Sequence, residues 1–302
     1  MSHNVLCYVD VRGDSSEAAE LINNWVAENT NNKITEILSP SDINSMTRLV
    51  LVNAVYFKGE WVHIFNENNT RDDDFHISAN EHVNVKMMYR KSRVYYGVNS
   101  ELNCQALELP YAGQNVSMFI LLPDQTTSLS QLEEKLTAND LANAREKFSM
   151  RKGEVNVWLP KFKLDVKLSL AKVLREMGIT DLFDENEADL SGIGGSQDLV
   201  VSKILHRAVV EVRENGTEAA AATAIVITLL SAPIALEEFD FRADRPFLFF
   251  IQDRPTTSIL FLGRLMKPPG PVTVTSAATG AAALSSWFLE VVLFIIYREM
   301  SA

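Results

Sequence analysis

One segment, Glu211–Ser231, limits what this chain can fold into more than any other. It reads EVRENGTEAAAATAIVITLLS: a strand-like run, one glycine, four consecutive alanines and then β-branched residues, with no proline before Pro233. Read as a helix, the alanines are favourable because Ala has the highest helix propensity. Read as a strand, Thr217, Ala219, Ala221, Thr223, Ile225 and Ile227 share one face. None of them is charged, so that face can enter a sheet without the penalty of burying an ion. The other face carries Glu218, which suits solvent. A segment compatible with both an exposed loop and a buried strand is a candidate switch; the plainer alternative is an exposed helix.

Composition sets the frame for that segment. The chain has 302 residues, 47% hydrophobic and 22% charged, and a formal net charge of −11. This is the balance of a globular chain with a large core. An acidic protein lacks the Lys and Arg surplus that neutralises phosphates, so no nucleic-acid partner is expected. Two cysteines, Cys7 and Cys104, are too few for a disulfide framework and fit either reduced thiols or one bridge. The start, MSHNVLCYVDVRGD, lacks the basic residue and apolar run of a signal peptide.

The coarse pattern is α+β. A helix opens at Ser15, with Leu21, Ile22, Trp25 and Val26 on one face. Residues 47–57 (TRLVLVNAVYF) are apolar on both faces, as in a strand buried within a sheet. Further strands are expected over 83–88, 105–109, 116–122 and 154–162, with 198–213 and 247–265 strand-rich, and helices over 129–136, 139–149 and 167–177, the last closed by Gly178. After Lys267-Pro268-Pro269-Gly270-Pro271 the composition shifts to small residues, so 1–268 reads as the domain and 269–302 as an extension. Within the extension, 281–297 is apolar apart from Glu290. It falls short of the roughly 20 residues of a membrane helix, and no membrane partner is expected.

Enzyme signatures are missing. There is no G-x-S-x-G, H-E-x-x-H, G-x-x-x-x-G-K-[ST] or G-x-G-x-x-G. Gly192-Ile193-Gly194-Gly195 lacks the following Lys-Ser/Thr of a phosphate loop, and Asp72-Asp73-Asp74 lacks the alternate spacing of a calcium loop and reads as a solvated acidic loop. The five histidines do not pair with cysteines at zinc spacing. No metal, cofactor or catalytic residue is expected.

The segment at 211–231 resembles the hinge and reactive-centre loop of the serpins, whose pattern is Glu-x-Gly-Thr-Glu-Ala followed by small residues. Other stretches are similar at matching places: LVNAVYFKGEW (51–61), SKILHRA (202–208), DRPFLFFI (244–251) and ILFLGRL (259–265). The resemblance runs from about Leu6 to Pro268 and, in the alanine run, is closest to arthropod and intracellular-type serpins. It implies the serpin fold, a large mixed sheet with smaller sheets and surrounding helices. It also implies a suicide-substrate inhibitor. A protease attacks the exposed loop, an acyl-enzyme forms, and the loop inserts into the main sheet as an added strand.

The implied roles fall on particular residues. Glu214, Gly216, Thr217, Glu218, Ala219, Ala220, Ala221 and Ala222 form the hinge; Gly216 gives backbone freedom, and the small residues cost little to bury. In the family the attacked residue lies thirteen after the hinge Thr, which selects Leu230–Ser231, with Leu229–Leu230 as second choice. An apolar residue before the bond suits chymotrypsin-, cathepsin G- or elastase-like serine proteases, with a cysteine protease as a further target class. Asn53 and His206 match positions that bond across the middle of the sheet and yield on insertion; the alternative is two satisfied buried polar groups. Trp61 is either a gate to loop entry or ordinary core. Glu214 is expected to pair with an unnamed Lys or Arg.

The resemblance begins near the family's first main-sheet strand, so a domain lacking its N-terminal helices and first core strand is expected, with the rear of its sheet open to aggregation. A monomer without a polyanion activator is expected. The sequon Asn215-Gly216-Thr217 falls in the hinge, where a glycan would obstruct insertion. Localisation stays open between the extracellular setting of the family at large and the cytoplasm of its intracellular type. The rival readings are a non-inhibitory serpin-fold binding protein and an inactive product.

Overall fold

A computed structural model describes residues 15–194, 199–215, 238–268 and 272–274. They divide into two compact units, one drawn from residues up to 57 and from 164–210, the other from 58–163 and from 211 onward.

The first unit begins with α1 (Ser15–Asn29), whose Ala18, Ala19 and Val26 are buried. It ends where Asn31 and Asn32 adopt φ of 50° and 56°, a region Asn tolerates better than most residues. The Thr30 hydroxyl donates to the Val26 carbonyl at 2.8 Å and accepts from the Ile34 N–H, tying the turn down. A three-stranded sheet follows, in the order β1 (Leu49–Phe57), β8 (Val201–Val212), β7 (Phe162–Ser169). β1 and β8 run parallel, Leu51 opposite Ile204 and Asn53 opposite His206. Val50, Val52, Ala54 and Tyr56 pack with Leu205 and Val209 against α1. Alternation then sends Leu51, Asn53 and Val55 to the opposite face. Every residue of β1 is half-buried rather than buried, which corrects the expectation of an enclosed strand. Among the described residues β1 ends its sheet and has α1 over one face only. Two short helices, α5 (Ala171–Glu176) and α6 (Ser191–Gly194), complete this unit.

The second unit is a nine-stranded sheet. Its strands are β2 (Arg71–Ser78), β3 (Glu81–Asn99), β4 (Cys104–Pro110), β5 (Val116–Pro123), β6 (Arg151–Pro160), β9 (Glu238–Arg242), β10 (Phe247–Asp253), β11 (Ser258–Leu265) and β12 (Val272–Val274). The main path is β11-β10-β5-β4-β3-β6-β9, and β2 and β12 each pair with β3. The 19-residue β3 holds this together. α2 (Leu129–Lys135), α3 (Ala138–Ala142) and α4 (Ala144–Lys147) place Leu132, Leu141 and Phe148 in a core with β4, β5 and β10, where Phe119 and Phe250 stack at 4.8 Å. Gly97 on β3 is required there, because a Cβ would come within 2.1 Å of the Phe148 carbonyl.

Several sequence expectations are corrected. Residues 139–149 form two short helices, not one, with the break at Asn143, which caps both. Residues 167–169 finish β7, and the helix starts only at Ala171; Gly178, at φ 92°, does close it. The stretch 247–265 is strand-rich as expected, and forms two antiparallel strands, β10 and β11. Asp72, Asp73 and Asp74 lie in β2, not in a loop, and are paired with Lys86, Arg242 and His82. Beyond Pro268, Val272–Val274 adds a short strand against Glu81–Val83 of β3. Among the described residues no helix is long and apolar enough to cross a membrane; the apolar run at 281–297 lies outside them.

Candidate functional site

Within the second unit, three successive carbonyls just before Gly216 are gripped by one short segment. The Trp61 indole N–H donates to the Arg213 carbonyl at 2.9 Å. The Phe65 N–H donates to the Glu214 carbonyl at 2.8 Å, and the Trp61 N–H to the Asn215 carbonyl at 3.3 Å. Trp61 is buried and stacks on Tyr111 at 4.3 Å. Its partner strand is anchored in turn, the Val62 N–H donating to the Pro110 carbonyl at 3.0 Å. An indole is suited to this place because its ring is apolar while its N–H must find an acceptor.

The side chain of Glu214 is fixed as firmly as its backbone. It is 4% exposed, and a carboxylate so placed needs partners. Lys161 Nζ lies 2.8 Å from Oε2, and the Thr70 hydroxyl donates to Oε1 at 2.8 Å. Burial pushes the Glu214 carboxyl up, but Lys161, its own backbone N–H and Thr70 together outweigh burial and hold it below the ordinary value. Lys161 sits at the bend between β6 and β7, following Pro160. The sequence pointed to a basic partner, but Lys161, Thr70 and Phe65 carried no spacing signal, because the contacts join strands far apart in the chain.

A separate pair lies in the first unit. His206 Nδ1 and Asn53 Oδ1 are 3.0 Å apart, bridging β1 and β8 on the face away from α1. The amide oxygen accepts, so Nδ1 carries the proton. Burial holds the His206 pKa below its usual value, and the ring is neutral at pH 7. Asn53 with His206, and Trp61 with Glu214, are therefore brought into two clusters. Gly216, Thr217, Glu218, Ala219–Ala222, Leu230 and Ser231 lie outside the described residues.

Cys104 is buried and its thiol is pushed up to about 12, mainly by desolvation. It is not a nucleophile in this state. Among the described residues no three His, Cys, Asp or Glu side chains converge as metal ligands.

The family model for Serpin (serine protease inhibitor) matches residues 3–268. Leukocyte elastase inhibitor A of Rattus norvegicus is 44% identical over 267 residues, covering 87% of this chain and 70% of that protein. Leukocyte elastase inhibitor of Homo sapiens shows the same identity and coverage. Among solved structures, uncleaved ovalbumin superimposes with a TM-score of 0.75 at 35% identity, over 86% of this chain and 65% of its own. Serpin48 of the insect Tenebrio molitor gives 0.71 at 37%, over 85% and 66%. The chain thus spans somewhat under two thirds of the ovalbumin chain. Its α+β fold, with a long mixed sheet and few helices, is shared with these structures. The chain belongs to the serpin family.

Proposed function

We propose that this chain inhibits serine proteases as a suicide substrate, presenting Leu230–Ser231 as the bond attacked. The observation that carries this reading is the grip on Arg213, Glu214 and Asn215 immediately before Gly216. A loop that must swing from solvent into a sheet needs a fixed pivot on one side of a permissive residue. The inward set from Thr217 to Ile227 carries no charge and is small at its start, so its entry between strands is cheap. A non-inhibitory role would impose no such restriction, since charge or bulk would do no harm there.

Entry requires β1 and β8 to part, because they are directly paired. The Asn53–His206 bond is then one of the contacts exchanged. Trp61 would act as a positioning residue that releases the hinge. The apolar Leu230 suits a hydrophobic primary pocket, and relatives named leukocyte elastase inhibitor support elastase-like as well as chymotrypsin-like targets. A thiol protease acting on the same bond is a further target class.

The test is incubation of residues 1–302 with chymotrypsin and, separately, with leukocyte elastase, followed by a denaturing gel and mass spectrometry. A covalent complex of summed mass with a released peptide beginning at Ser231 is expected. Cleavage at that bond with no complex would overturn inhibition and leave the loop as a simple substrate.

A further inference from the structure

His76 on β2 and His82 on β3 stand directly opposite each other across an antiparallel ladder. Opposite residues of such a pair point to the same face of the sheet, with Cβ atoms about 5 Å apart. The two rings lie 6.2 Å apart between centroids, tilted by 53°. His76 is exposed and His82 half-buried, so solvent reaches both. Neither imidazole makes a hydrogen bond within the described residues. Asp74 Oδ2 lies 4.0 Å from His82 Nε2, beyond hydrogen-bond range.

The backbone under the pair is held on several sides. The His76 N–H donates to the Asp244 carbonyl at 2.7 Å, and Glu81–Val83 of β3 pairs with β12 as well as with the β2 side. Two imidazoles on one face of a rigid sheet make a chelate for a borderline divalent ion. Zn²⁺ takes each ring nitrogen at about 2.0–2.1 Å in a tetrahedral array, which sets two ring centroids roughly 5 Å apart. Closing from 6.2 Å takes about 1 Å, a change that rotation of two solvent-facing side chains supplies without backbone movement.

The local charge also favours a cation. Lys86 is engaged by Asp72 and Lys267 lies 3.7 Å from Glu81, which leaves Asp74 beside the pair with no Lys or Arg partner among the described residues. We propose that His76 and His82 bind Zn²⁺ or a similar borderline divalent ion, with water completing its coordination and Asp74 supplying charge alongside. Asp74 is not counted as a ligand, because among the described residues no three His, Cys, Asp or Glu side chains converge. Mg²⁺ and Ca²⁺ are not bound, since they take oxygen ligands rather than imidazole. Strand register brings this pair together, and the search for His–Cys spacing in the sequence could not find it. The site uses β2 and β3 alone and stands independently of protease inhibition.

The probe is ZnCl₂, titrated at constant ionic strength into the full chain and followed by calorimetry and by long-range ¹H–¹⁵N NMR of the histidine rings. The His76 and His82 rings are expected to shift on addition of Zn²⁺, and those of His63 and His206 are not. His76→Gln and His82→Gln should each weaken binding about tenfold or more, the loss of one of two ligands. Asp74→Asn should weaken it less than about tenfold, the scale of one exposed charge. Far-ultraviolet circular dichroism confirms that each variant is folded, and the ring shifts in wild type need no variant at all. Absence of a zinc-dependent shift at the two rings would overturn the proposal, as would binding unchanged in both Gln variants. Mg²⁺ bound as tightly as Zn²⁺ would overturn it too, and would assign the attraction to the charges of Asp72–Asp74.

Discussion

Lys161 Nζ stands 2.8 Å from Glu214 Oε2, and the two partners are buried unequally. The Lys161 side chain is 36% exposed while that of Glu214 is 5% exposed. Removing the lysine strands a buried carboxylate with only Thr70 and its own amide for company. Removing the glutamate charge leaves an ammonium that water can reach. Lys161→Met is therefore expected to destabilise by about 2 kcal/mol, below the range for fully buried pairs, and Glu214→Gln by about 1 kcal/mol. The double variant should be more stable than Lys161→Met alone. Urea melts of the four proteins read this directly; equal losses for the two single variants would contradict the unequal burial.

The same carboxylate has an acid signature. Its folded pKa lies below the ordinary 4.5, so in this range the unfolded chain binds more protons than the folded one. The stabilisation is complete above 4.5 and is lost as pH falls through the folded value. The slope of melting temperature against pH below 4.5 should be shallower in Glu214→Gln than in wild type.

His206 has the same sign of shift, from a higher ordinary value. Burial lowers its folded pKa below 6.5, so the unfolded state takes up the proton first. Its contribution is present above pH 6.5 and declines as pH falls below that toward the folded value. His206→Gln should lose part of the fall in stability seen in wild type as pH drops below 6.5. Asn53→Ala removes the acceptor 3.0 Å from Nδ1 and should cost about 1 kcal/mol at neutral pH. A pH-stability curve unchanged by His206→Gln would show that the ring gives nothing to acid lability.

Trp61→Phe keeps an aromatic ring against Tyr111 but loses the indole N–H that serves the Arg213 carbonyl. About 1 kcal/mol of stability should go with that bond. If Trp61 positions the hinge, the variant also shows faster hydrogen exchange at the Phe65 amide, which donates to Glu214. An ordinary core tryptophan would lower stability without speeding that one amide selectively.

Much of this architecture was legible because short-range physics set it. The β-branched run at 49–57 became β1, and the alternation at 154–160 became part of β6. Boundaries failed where a single residue decided them. Asn143 broke an apparent helix in two, and Lys161 turned one apparent strand into two. The Asp72–Asp74 run is solvated, as read, but it lies in a strand, and its cationic partners could not be read from spacing because they lie on other parts of the sheet, with Arg242 far along the chain. Glu214, Trp61, Asn53 and His206 were each identifiable through the resemblance. Lys161, Thr70 and Phe65 were not, since their importance arises from burial and from contacts that only the folded sheet creates.

The hinge itself yields the sharpest division between insertion and mere presentation. Thr217 heads the alternate set that would face the sheet interior. Thr217→Glu places an ion on that face without touching Leu230–Ser231 or the grip on Glu214. Burying an unpaired carboxylate costs several kcal/mol, so insertion slows while the bond remains open to attack. The expected outcome with chymotrypsin is a change of products, from covalent complex in wild type to cleaved chain in Thr217→Glu, with the released peptide still beginning at Ser231. Thr217→Val, close in shape and uncharged, should retain the complex. A complex formed equally well by Thr217→Glu would mean that this face does not enter the sheet, and the switch would have to be sought elsewhere in the chain.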